Sequence, residues 1–385
     1  MSRARWSLGL MTGTALDGEI DVALIQTDGE RVSELGPWAL VPYEPETLDL
    51  IERAVEAARR WGFEGTEPPE LAAAERALTD AQARAVARTL DDHGIGRDAV
   101  ATIGFHGQTV LHRAPAPGAP GATRQLGDGP RMARALGIDT VTGFRERDVA
   151  AGGQGAPLAP IYHRALLERV GAAPGTAVLN LGGVANLTCL DGADTIGFDV
   201  GPANGPIDDW VRSRTGEPMD RDGRLASAGT VDEARLARLL EHPYLGAPWP
   251  KSLDRFDFGA GMVDGLDAAD GAATLTAFAA AAVARAFELL PVPVASLVLC
   301  GGGRRNPALV AELERRTGVP AIDADALGLR GDAIEAECFA FLAERTRRAL
   351  PIGFPRTTGV ATPLTGGTLH RPDAPRPERP SGRRA

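Results

Sequence analysis

The chain has 385 residues, with 41 basic and 51 acidic side chains and a formal net charge of −10. Its hydrophobic content of 44% and charged content of 24% are ordinary for a globular protein and exclude disordered, collagen-like and disulfide-rich classes. Net acidity without a basic stripe argues against nucleic acid or an anionic membrane surface as a partner. The length predicts two domains. Lys251 is the single lysine among the 41 cations, and all the others are arginine.

Three cysteines, Cys189, Cys300 and Cys338, lie far apart in apolar surroundings. Their odd number and wide spacing indicate neither a disulfide framework nor a metal site, so we expect buried small hydrophobic side chains. The apolar stretch near the N-terminus runs directly into acidic residues and favours a strand over a signal peptide. No segment is long and apolar enough for a membrane span. The sequence therefore predicts a cytoplasmic protein.

The first part of the chain alternates apolar runs with Ala-, Glu- and Arg-rich segments of helical spacing. It predicts strands over 6–10, 21–27, 100–105 and 139–142, and helices over 47–60, 68–93 and 129–136. The same kind of unit then begins again. The second part predicts strands over 177–181, 186–190, 196–200 and 296–300, and helices over 207–215, 271–290, 307–317 and 333–348. This alternation predicts two α/β domains around a cleft.

Glycine-rich turns follow three of the apolar strands, at 13–18, 182–183 and 301–303. Glycine lets backbone amides approach and surround phosphate oxygens, although most glycines at strand ends serve only chain reversal. None of the turns has the P-loop lysine or the dinucleotide-binding fingerprint. Three such turns in one chain favour a nucleotide held between two domains.

Asp199 stands at the end of a predicted strand beside glycine and proline. A carboxylate at this position suits a general base or a ligand of metal-bound water, and the alternative is a helix cap or turn. Four further carboxylates are candidates, with a solvated surface position as the alternative for each: Asp148, Asp208, Asp209 and Glu335. His106 also follows a strand, but no triad partner is identifiable, so we do not assign it as a base.

Residues 145–155 combine arginines, a carboxylate and a flexible Gly/Gln loop. Arginine suits carboxylate or phosphate recognition, whereas glutamine and aspartate suit sugar hydroxyls. The alternative is a polar loop between domains.

These stretches together resemble the anhydro-N-acetylmuramic acid kinases, which belong to the superfamily of sugar kinases, heat-shock ATPases and actin. The matching segments run in order over nearly the whole chain: 9–18, 106–109, 147–158, 180–183, 197–204, 250–252 and 300–303. The segment at 147–155, Arg-Asp-Val-Ala-Ala-Gly-Gly-Gln-Gly, is the most specific of them.

The resemblance implies two actin-like, ribonuclease H-like α/β domains flanking a nucleotide- and sugar-binding cleft. It places domain I at 1–142 plus 342–370 and domain II at 143–341. The Pro/Arg-rich composition of 371–385 separately predicts a disordered tail. It also implies a reaction that depends on ATP and Mg²⁺. Water opens the internal bridge of the anhydro sugar, and the released 6-oxygen takes the γ-phosphoryl group, as in cell-wall recycling. A homodimer is a further implication.

The resemblance assigns roles residue by residue, with Asp199 as the general base for the attacking water and Lys251 in a matching segment without a defined role. The implied ATP-binding residues are Gly13, Thr14, Ala15, Leu16, Asp17, Gly18, Glu19, Ile20, Asp21, Gly182, Gly183, Gly301, Gly302, Gly303 and Asn306. The implied sugar-binding residues are Gln108, Arg145, Arg147, Asp148, Gln154, Asn204, Asp208 and Glu335. No direct metal ligand is assigned.

The chain departs from the family pattern at Ala15, Glu19, Phe105 and Ala203, and again after Ser252. These departures bear on the fine specificity for substrate rather than on the carboxylate. Two alternatives stay open: a superfamily kinase that phosphorylates an intact amino sugar, and a nucleotide-gated module without catalysis. The composition of 145–154 counts against the second.

Overall fold

The computed structural model describes residues 5–12, 18–116, 118–254 and 256–372. The core of the predicted phosphate hairpin, residues 13–17, lies outside the described residues, and so does the predicted tail from residue 373 onward.

The chain forms a mixed α/β structure. Its strands are β1 (Arg5–Met11), β2 (Glu19–Thr27), β3 (Val32–Pro42), β4 (Val100–Phe105), β5 (Gln108–Arg113), β6 (Ala122–Leu126), β7 (Thr140–Thr142), β8 (Thr176–Leu181), β9 (Val184–Asp191), β10 (Asp194–Pro202), β11 (Ser296–Cys300), β12 (Ala321–Asp323) and β13 (Thr368–His370). Its α-helices are α1 (Pro45–Trp61), α2 (Pro69–Asp92), α3 (Gly129–Leu136), α4 (Glu146–Ala150), α5 (Pro160–Arg169), α6 (Asn204–Thr215), α7 (Arg224–Ala228), α8 (Glu233–Leu239), α9 (Pro243–Gly246), α10 (Ala268–Phe287), α11 (Pro307–Thr317) and α12 (Ile334–Arg347).

The first sheet has the strand order β13-β7-β4-β1-β2-β3, and the second has the order β10-β9-β8-β11-β12. In the first, β1, β2 and β3 form an antiparallel meander, and β4 and β7 continue the sheet parallel to β1. The second repeats this plan, because β8, β9 and β10 form the meander and β11 and β12 run parallel to β8. This duplicated order is the ribonuclease H-like topology of actin-like proteins, so the predicted fold class is confirmed.

Every predicted strand and helix is present, with ends that differ by at most about three residues. The prediction omitted β3, the β5–β6 hairpin, β12, β13 and several helices of the second half, among them α5 and α9. β3 contains Gly36 and Pro37, which favour a loop in sequence, but an edge strand tolerates proline because one side of its backbone has no ladder partner.

Helix α12 packs directly on the backbone of the first sheet. A Cβ atom added at Gly9 would lie 1.8 Å from the carbonyl oxygen of Ala336, and one added at Gly104 would lie 2.0 Å from that of Phe339. Glycine at these two positions therefore permits the close approach of helix and strands. The helix is continuous through residue 341, and the domain boundary placed there stays a prediction.

Replacing Gly9 by alanine is expected to lower the free energy of unfolding by about 1–3 kcal/mol, since the methyl group must displace main-chain atoms of α12. Urea unfolding followed by circular dichroism measures the change. Gly259→Ala is the matched control, because a Cβ there meets no atom within 4 Å and the backbone φ is −118°. Equal stability of Gly9→Ala and the control would contradict the close packing.

All three cysteines are buried and unpaired, as predicted. Among the helices of the described segments, none combines the length and the hydrophobicity needed to cross a membrane.

Candidate active site

The carboxyl ends of parallel strands gather the polar residues of interest at one edge of each sheet. In the second sheet these are the ends of β8, β10 and β11, which run parallel to one another. In the first sheet they are the ends of β1, β4 and β7. Such edges are where open α/β sheets bind ligands. The two edges lie close enough that the Arg145 guanidinium, after β7, partly offsets the burial that raises the pKa of Asp199 on β10.

Asp199 is only 7% exposed, and its Oδ2, its backbone carbonyl and its backbone N–H each have a defined partner. Its Oδ2 accepts a hydrogen bond from the backbone N–H of Leu253 at 2.9 Å. Its backbone carbonyl accepts from the Tyr244 hydroxyl at 2.7 Å, and its N–H donates to the carbonyl of Lys251 at 3.1 Å. The ladder register shifts between Asp199 and Gly201, which marks a bulge of the kind that re-aims side chains beside active sites.

Burial raises the pKa of Asp199 to about 7 by disfavouring the charged carboxylate. The hydrogen bond from Leu253 and the positive charges of Arg145 and Lys251 act in the opposite direction. A carboxylate with a pKa near neutrality can accept a proton from a reacting group and then release it. Asp199 therefore has both the position and the acidity of a general base.

The second and third glycine turns lie at the same edge of the second sheet, directly after β8 and β11. Gly182 and Gly183 link β8 to β9, and their carbonyls accept hydrogen bonds from the amides of residues 203–205 at the start of α6. Gly301, after β11, has φ of +76°, and a Cβ there would lie 2.5 Å from Asn180 Oδ1. The turn at 301–303 is thus packed against the end of β8, directly before the turn at 182–183.

Gly301→Ala is expected to weaken ATP binding about tenfold, because the left-handed φ and the contact with Asn180 both oppose a methyl group there. Isothermal titration calorimetry with a non-hydrolysable ATP analogue measures the change. Gly302→Ala is the matched comparison, since its Cβ would meet nothing closer than 3.8 Å. Unchanged affinity in Gly301→Ala would contradict a cradle formed at this turn.

On the facing edge, Arg145 is fixed by two hydrogen bonds. Its Nε donates to Nε2 of His106 at 3.1 Å, and its Nη1 donates to the carbonyl of Gly155 at 2.8 Å. His106 Nδ1 lies 2.8 Å from the carbonyl of Gly107, so the proton is on Nδ1 and Nε2 accepts. Burial holds the pKa of His106 well below its usual value. His106 is therefore a neutral support for Arg145.

Asp148 uses both carboxylate oxygens to organise the loop that follows it. Oδ1 accepts from the N–H of Gly155 at 2.8 Å, and Oδ2 accepts from the hydroxyl of Thr358 at 2.5 Å. Gln154 donates its backbone N–H to the carbonyl of Thr358 at 2.6 Å, and its Oε1 accepts from Ser252 at 3.2 Å. The loop is thus fastened on both sides, and its glutamine reaches the segment that binds Asp199.

The remaining predicted sugar-binding residues lie in different surroundings. Glu335, at the start of α12, accepts from Asn180 Nδ2 at 3.0 Å, and Asn204 Nδ2 donates to the carbonyl of Leu181 at 3.1 Å. Asp208 lies half-buried on α6. Arg147 is exposed and donates to the Thr365 hydroxyl at 2.9 Å, so it points to a different neighbour from Arg145.

Gln108 is 1% exposed, and its Nε2 donates to the carbonyl of Thr109 at 3.1 Å. Its buried Oε1 accepts no hydrogen bond from any described residue. A buried acceptor without a donor costs free energy, which suits a position where a ligand hydroxyl supplies the missing bond.

The described part of the first phosphate hairpin consists of residues 18–21. Gly18 and Glu19 lead into β2, Ile20 is buried in the core, and Asp21 pairs with Met11 and Leu40 in the sheet. The predicted contacts of Gly13, Thr14, Ala15, Leu16 and Asp17 lie outside the described residues.

Asn306, predicted to bind ATP, caps α11, because its Oδ1 accepts from the N–H of Leu309 at 3.1 Å. Beside it, the buried Arg304 guanidinium donates to the carbonyl of Gly301 at 3.2 Å and forms ion pairs with Asp323, Asp325 and Asp332. The sequence analysis did not identify Arg304, although an arginine directly after a triple glycine was a usable signal. It also omitted Tyr244 and the backbone of Leu253, which no sequence pattern indicates.

The duplicated sheet topology, the two glycine turns and the strand-end carboxylate define the class of the protein, an actin-like ATPase fold. A model of the family described as anhydro-N-acetylmuramic acid kinase matches residues 5–372. The chain belongs to the anhydro-N-acetylmuramic acid kinase family.

Curated relatives named anhydro-N-acetylmuramic acid kinase are similar over almost their full lengths. The protein from Mesorhizobium japonicum is 56% identical over 365 residues, which cover 94% of this chain and 98% of the relative. The protein from Rhizobium rhizogenes is 57% identical over 365 residues with the same coverage. One from Jannaschia sp., named anhydro-N-acetylmuramic acid kinase 2, is 54% identical over 372 residues, covering 96% of this chain and 98% of the relative.

Proposed function

We propose that this chain converts 1,6-anhydro-N-acetylmuramic acid, ATP and water into N-acetylmuramic acid 6-phosphate and ADP, within peptidoglycan recycling. Membership in the family supports a kinase that acts on this sugar. The observation that carries the chemistry is the buried carboxylate of Asp199 with its pKa near 7, on a strand of the sheet whose edge carries two glycine turns.

In the proposed reaction, Asp199 accepts a proton from a water molecule as the water oxygen bonds to the anomeric carbon. The bond between the anomeric carbon and the bridging oxygen breaks, and that oxygen, now free at carbon 6, bonds to the γ-phosphorus of ATP. The bond from the γ-phosphorus to the leaving oxygen breaks to release ADP. Asp199 then returns its proton to solvent. The water oxygen ends as the anomeric hydroxyl, and the original bridging oxygen ends in the phosphate ester.

ATP is proposed to lie with its phosphates on the glycine turns, with adenosine towards Asn306. Within residues 5–12, 18–116, 118–254 and 256–372, no group of three or more His, Cys, Asp or Glu side chains is arranged to hold a metal ion. Mg²⁺ keeps several waters and is commonly held by one or two carboxylates together with substrate phosphates, so the phosphates of ATP are proposed to supply part of its ligands. When bound, Mg²⁺ neutralises charge that develops on the phosphates.

The sugar is proposed to lie between Asp199 and the facing sheet edge. Arg145 is positioned by His106 and Gly155 to pair with the lactyl carboxylate, and the free Oε1 of Gln108 suits a hydroxyl of the sugar. The other residues proposed to line this side are Arg147, Asp148, Gln154, Asn204, Asp208 and Glu335. Of these, Asp148 acts through the loop that it fastens.

The experiment that tests the function is an end-point assay of the purified chain with Mg²⁺-ATP and three separate sugars: the anhydro sugar, N-acetylmuramic acid and N-acetylglucosamine. The expected result is ADP and a 6-phosphate only from the anhydro sugar. Preferential phosphorylation of an intact sugar would instead support a superfamily kinase in which Asp199 deprotonates a hydroxyl. Nucleotide binding without any sugar phosphate would support a non-catalytic module.

Two further features belong to the proposal. The domains are proposed to span 1–142 plus 342–370 and 143–341 on either side of the cleft, and the protein is proposed to act as a cytoplasmic homodimer. Sedimentation equilibrium is expected to give twice the chain mass of 40.2 kDa, and a single-chain mass would contradict the dimer.

A further inference from the structure

The ammonium group of Lys251, the single lysine, is enclosed by α9 and by Phe198 of β10. The residue is 6% exposed. Its Nζ donates to the carbonyl of Tyr244 at 2.8 Å and lies 3.3 Å from the carbonyl of Leu245, both at the end of α9. It also lies over two aromatic rings, 4.5 Å from the centre of Tyr244 and 5.6 Å from that of Phe198. The ammonium thus joins the 250–253 loop to α9.

The two segments that Lys251 joins are the ones that hold Asp199. The Lys251 carbonyl accepts from the N–H of Asp199, and the N–H of Leu253 donates to the Asp199 carboxylate. From α9, the Tyr244 hydroxyl donates to the carbonyl of Asp199. The backbone of Asp199 is thus bound by both segments, and its carboxylate is bound by the loop.

We propose that Lys251 is a positioning residue for Asp199, which ties the 250–253 loop to α9 and thereby fixes the direction of the carboxylate. This inference rests on the proposed role of Asp199 as the general base. The family resemblance leaves the role of Lys251 undefined.

The surroundings also explain why this cation is not arginine in a chain where every other basic residue is. A compact ammonium places its donors on two neighbouring carbonyls between two ring faces, whereas a planar guanidinium is larger and requires a fork of acceptors. The charge of Lys251 has a second effect, because it opposes the rise in the pKa of Asp199 together with Arg145. Tyr244 also faces Asp199, and burial raises its pKa so that it stays neutral.

Being the single lysine, Lys251 gives a direct test in the intact protein. Growth with lysine labelled with carbon-13 at Cε gives one lysine Cε resonance, whose pH titration reports this ammonium alone. Burial lowers the pKa of Lys251 to about 8, and Asp199 opposes that shift, so a midpoint near 8 is expected, moving lower in Asp199→Asn. A midpoint at the ordinary value of about 10.4 in both proteins would overturn the proposal.

The kinetic test compares Lys251→Met, Lys251→Arg and Tyr244→Phe. Lys251→Met is expected to lower kcat by up to about 100-fold through misplacement of Asp199, with little change in the KM for ATP. The acid limb, which is the fall in kcat/KM at low pH as Asp199 becomes protonated, is expected to move to higher pH in this variant. The reason is that a positive charge is lost beside the carboxylate. Lys251→Arg keeps the charge, so its acid limb is expected to lie close to that of the wild type. Its kcat is expected to stay below the wild-type value. Tyr244→Phe removes a hydrogen bond without a charge and is expected to lower kcat while leaving the acid limb in place.

The melting temperature and the ATP affinity of each variant show whether it is folded. If Lys251→Met is unfolded, the lysine resonance of the wild-type chain and of Asp199→Asn still decides the matter. A folded Lys251→Met with the wild-type kcat and acid limb would overturn the positioning role and leave Asp199 as the base. A wild-type chain inactive on the anhydro sugar would instead refute the proposed function, and the resonance would still report the position of Lys251.

Discussion

Asp199→Asn is expected to lower turnover of the anhydro sugar by about 100-fold or more, the usual range for loss of a general base. Asparagine keeps the size of the side chain and an oxygen that can accept the hydrogen bond from Leu253. It cannot take a proton from water, so the chemical step fails while the fold remains. Coupled detection of ADP gives kcat, and calorimetry is expected to show ATP affinity within about twofold of the wild type.

Asp194→Asn is the matched control for that experiment. Asp194 lies on the same strand, but it is exposed and pairs with Arg356 at the surface. Surface substitutions of this kind change stability little, and we expect near-normal turnover. Similar activities of the Asp199 variant, the Asp194 variant and the wild type would refute Asp199 as the base.

The same residue predicts the pH dependence of the reaction. Because burial raises the pKa of Asp199 to about 7, the carboxylate is mostly ionised above pH 7 and mostly protonated below it. The rate should therefore fall about tenfold per pH unit well below pH 7, and level off above it. A profile of kcat/KM for the sugar measures this limb. A rate that stays constant from pH 7 down to pH 5 would contradict the raised pKa.

Arg145→Met is expected to produce the second large effect, a fall of about 100-fold in kcat/KM for the sugar, equivalent to about 2.7 kcal/mol. The variant loses the hydrogen bonds to His106 and to the carbonyl of Gly155. It also removes a positive charge that lowers the pKa of Asp199, so the acid limb should move to higher pH. Steady-state kinetics over a range of pH separates the two consequences.

Arg147→Met provides the comparison, because Arg147 stands two residues further on and carries the same charge. Its exposed guanidinium bonds to Thr365, and we expect a smaller loss of kcat/KM and no displacement of the acid limb. Equal losses of kcat/KM and identical pH profiles in the two variants would contradict a specific electrostatic effect of Arg145 on the pKa of Asp199.

The fold was predictable from sequence to the extent that it rests on local patterns. Strands β8 and β11 are short apolar runs, and each is followed directly by glycines. Both strands and the turns at 182–183 and 301–303 can therefore be predicted from sequence. β3 could not be predicted from sequence, because Gly36 and Pro37 interrupt the alternation of apolar and polar residues. The strand is defined instead by its pairing with β2.

The site was predictable only where a residue stands at the end of a recognisable strand. Asp199 satisfies that condition, and the family resemblance gave the same assignment. The partners of Asp199 could not be predicted in this way, because they come from distant segments of the chain. The Leu253 amide donates a hydrogen bond to the carboxylate, and the Arg145 guanidinium acts on it electrostatically. For Asp148 the motif predicts a contact with the sugar. In the structure its Oδ1 accepts a hydrogen bond from Gly155 and its Oδ2 accepts one from Thr358. Hydrogen-bond partners of this kind depend on tertiary structure and leave no local pattern.

In the proposed reaction, hydrolytic opening and phosphorylation occur on the same sugar but involve different oxygen atoms. The most direct test is a reaction of the wild-type chain with anhydro-N-acetylmuramic acid and ATP in oxygen-18 water, with mass spectrometry of the product before its reducing end exchanges oxygen. We expect one heavy oxygen per product molecule at the anomeric carbon and none in the bridge between carbon 6 and phosphorus. A sugar phosphate without heavy oxygen at the anomeric position would contradict the account.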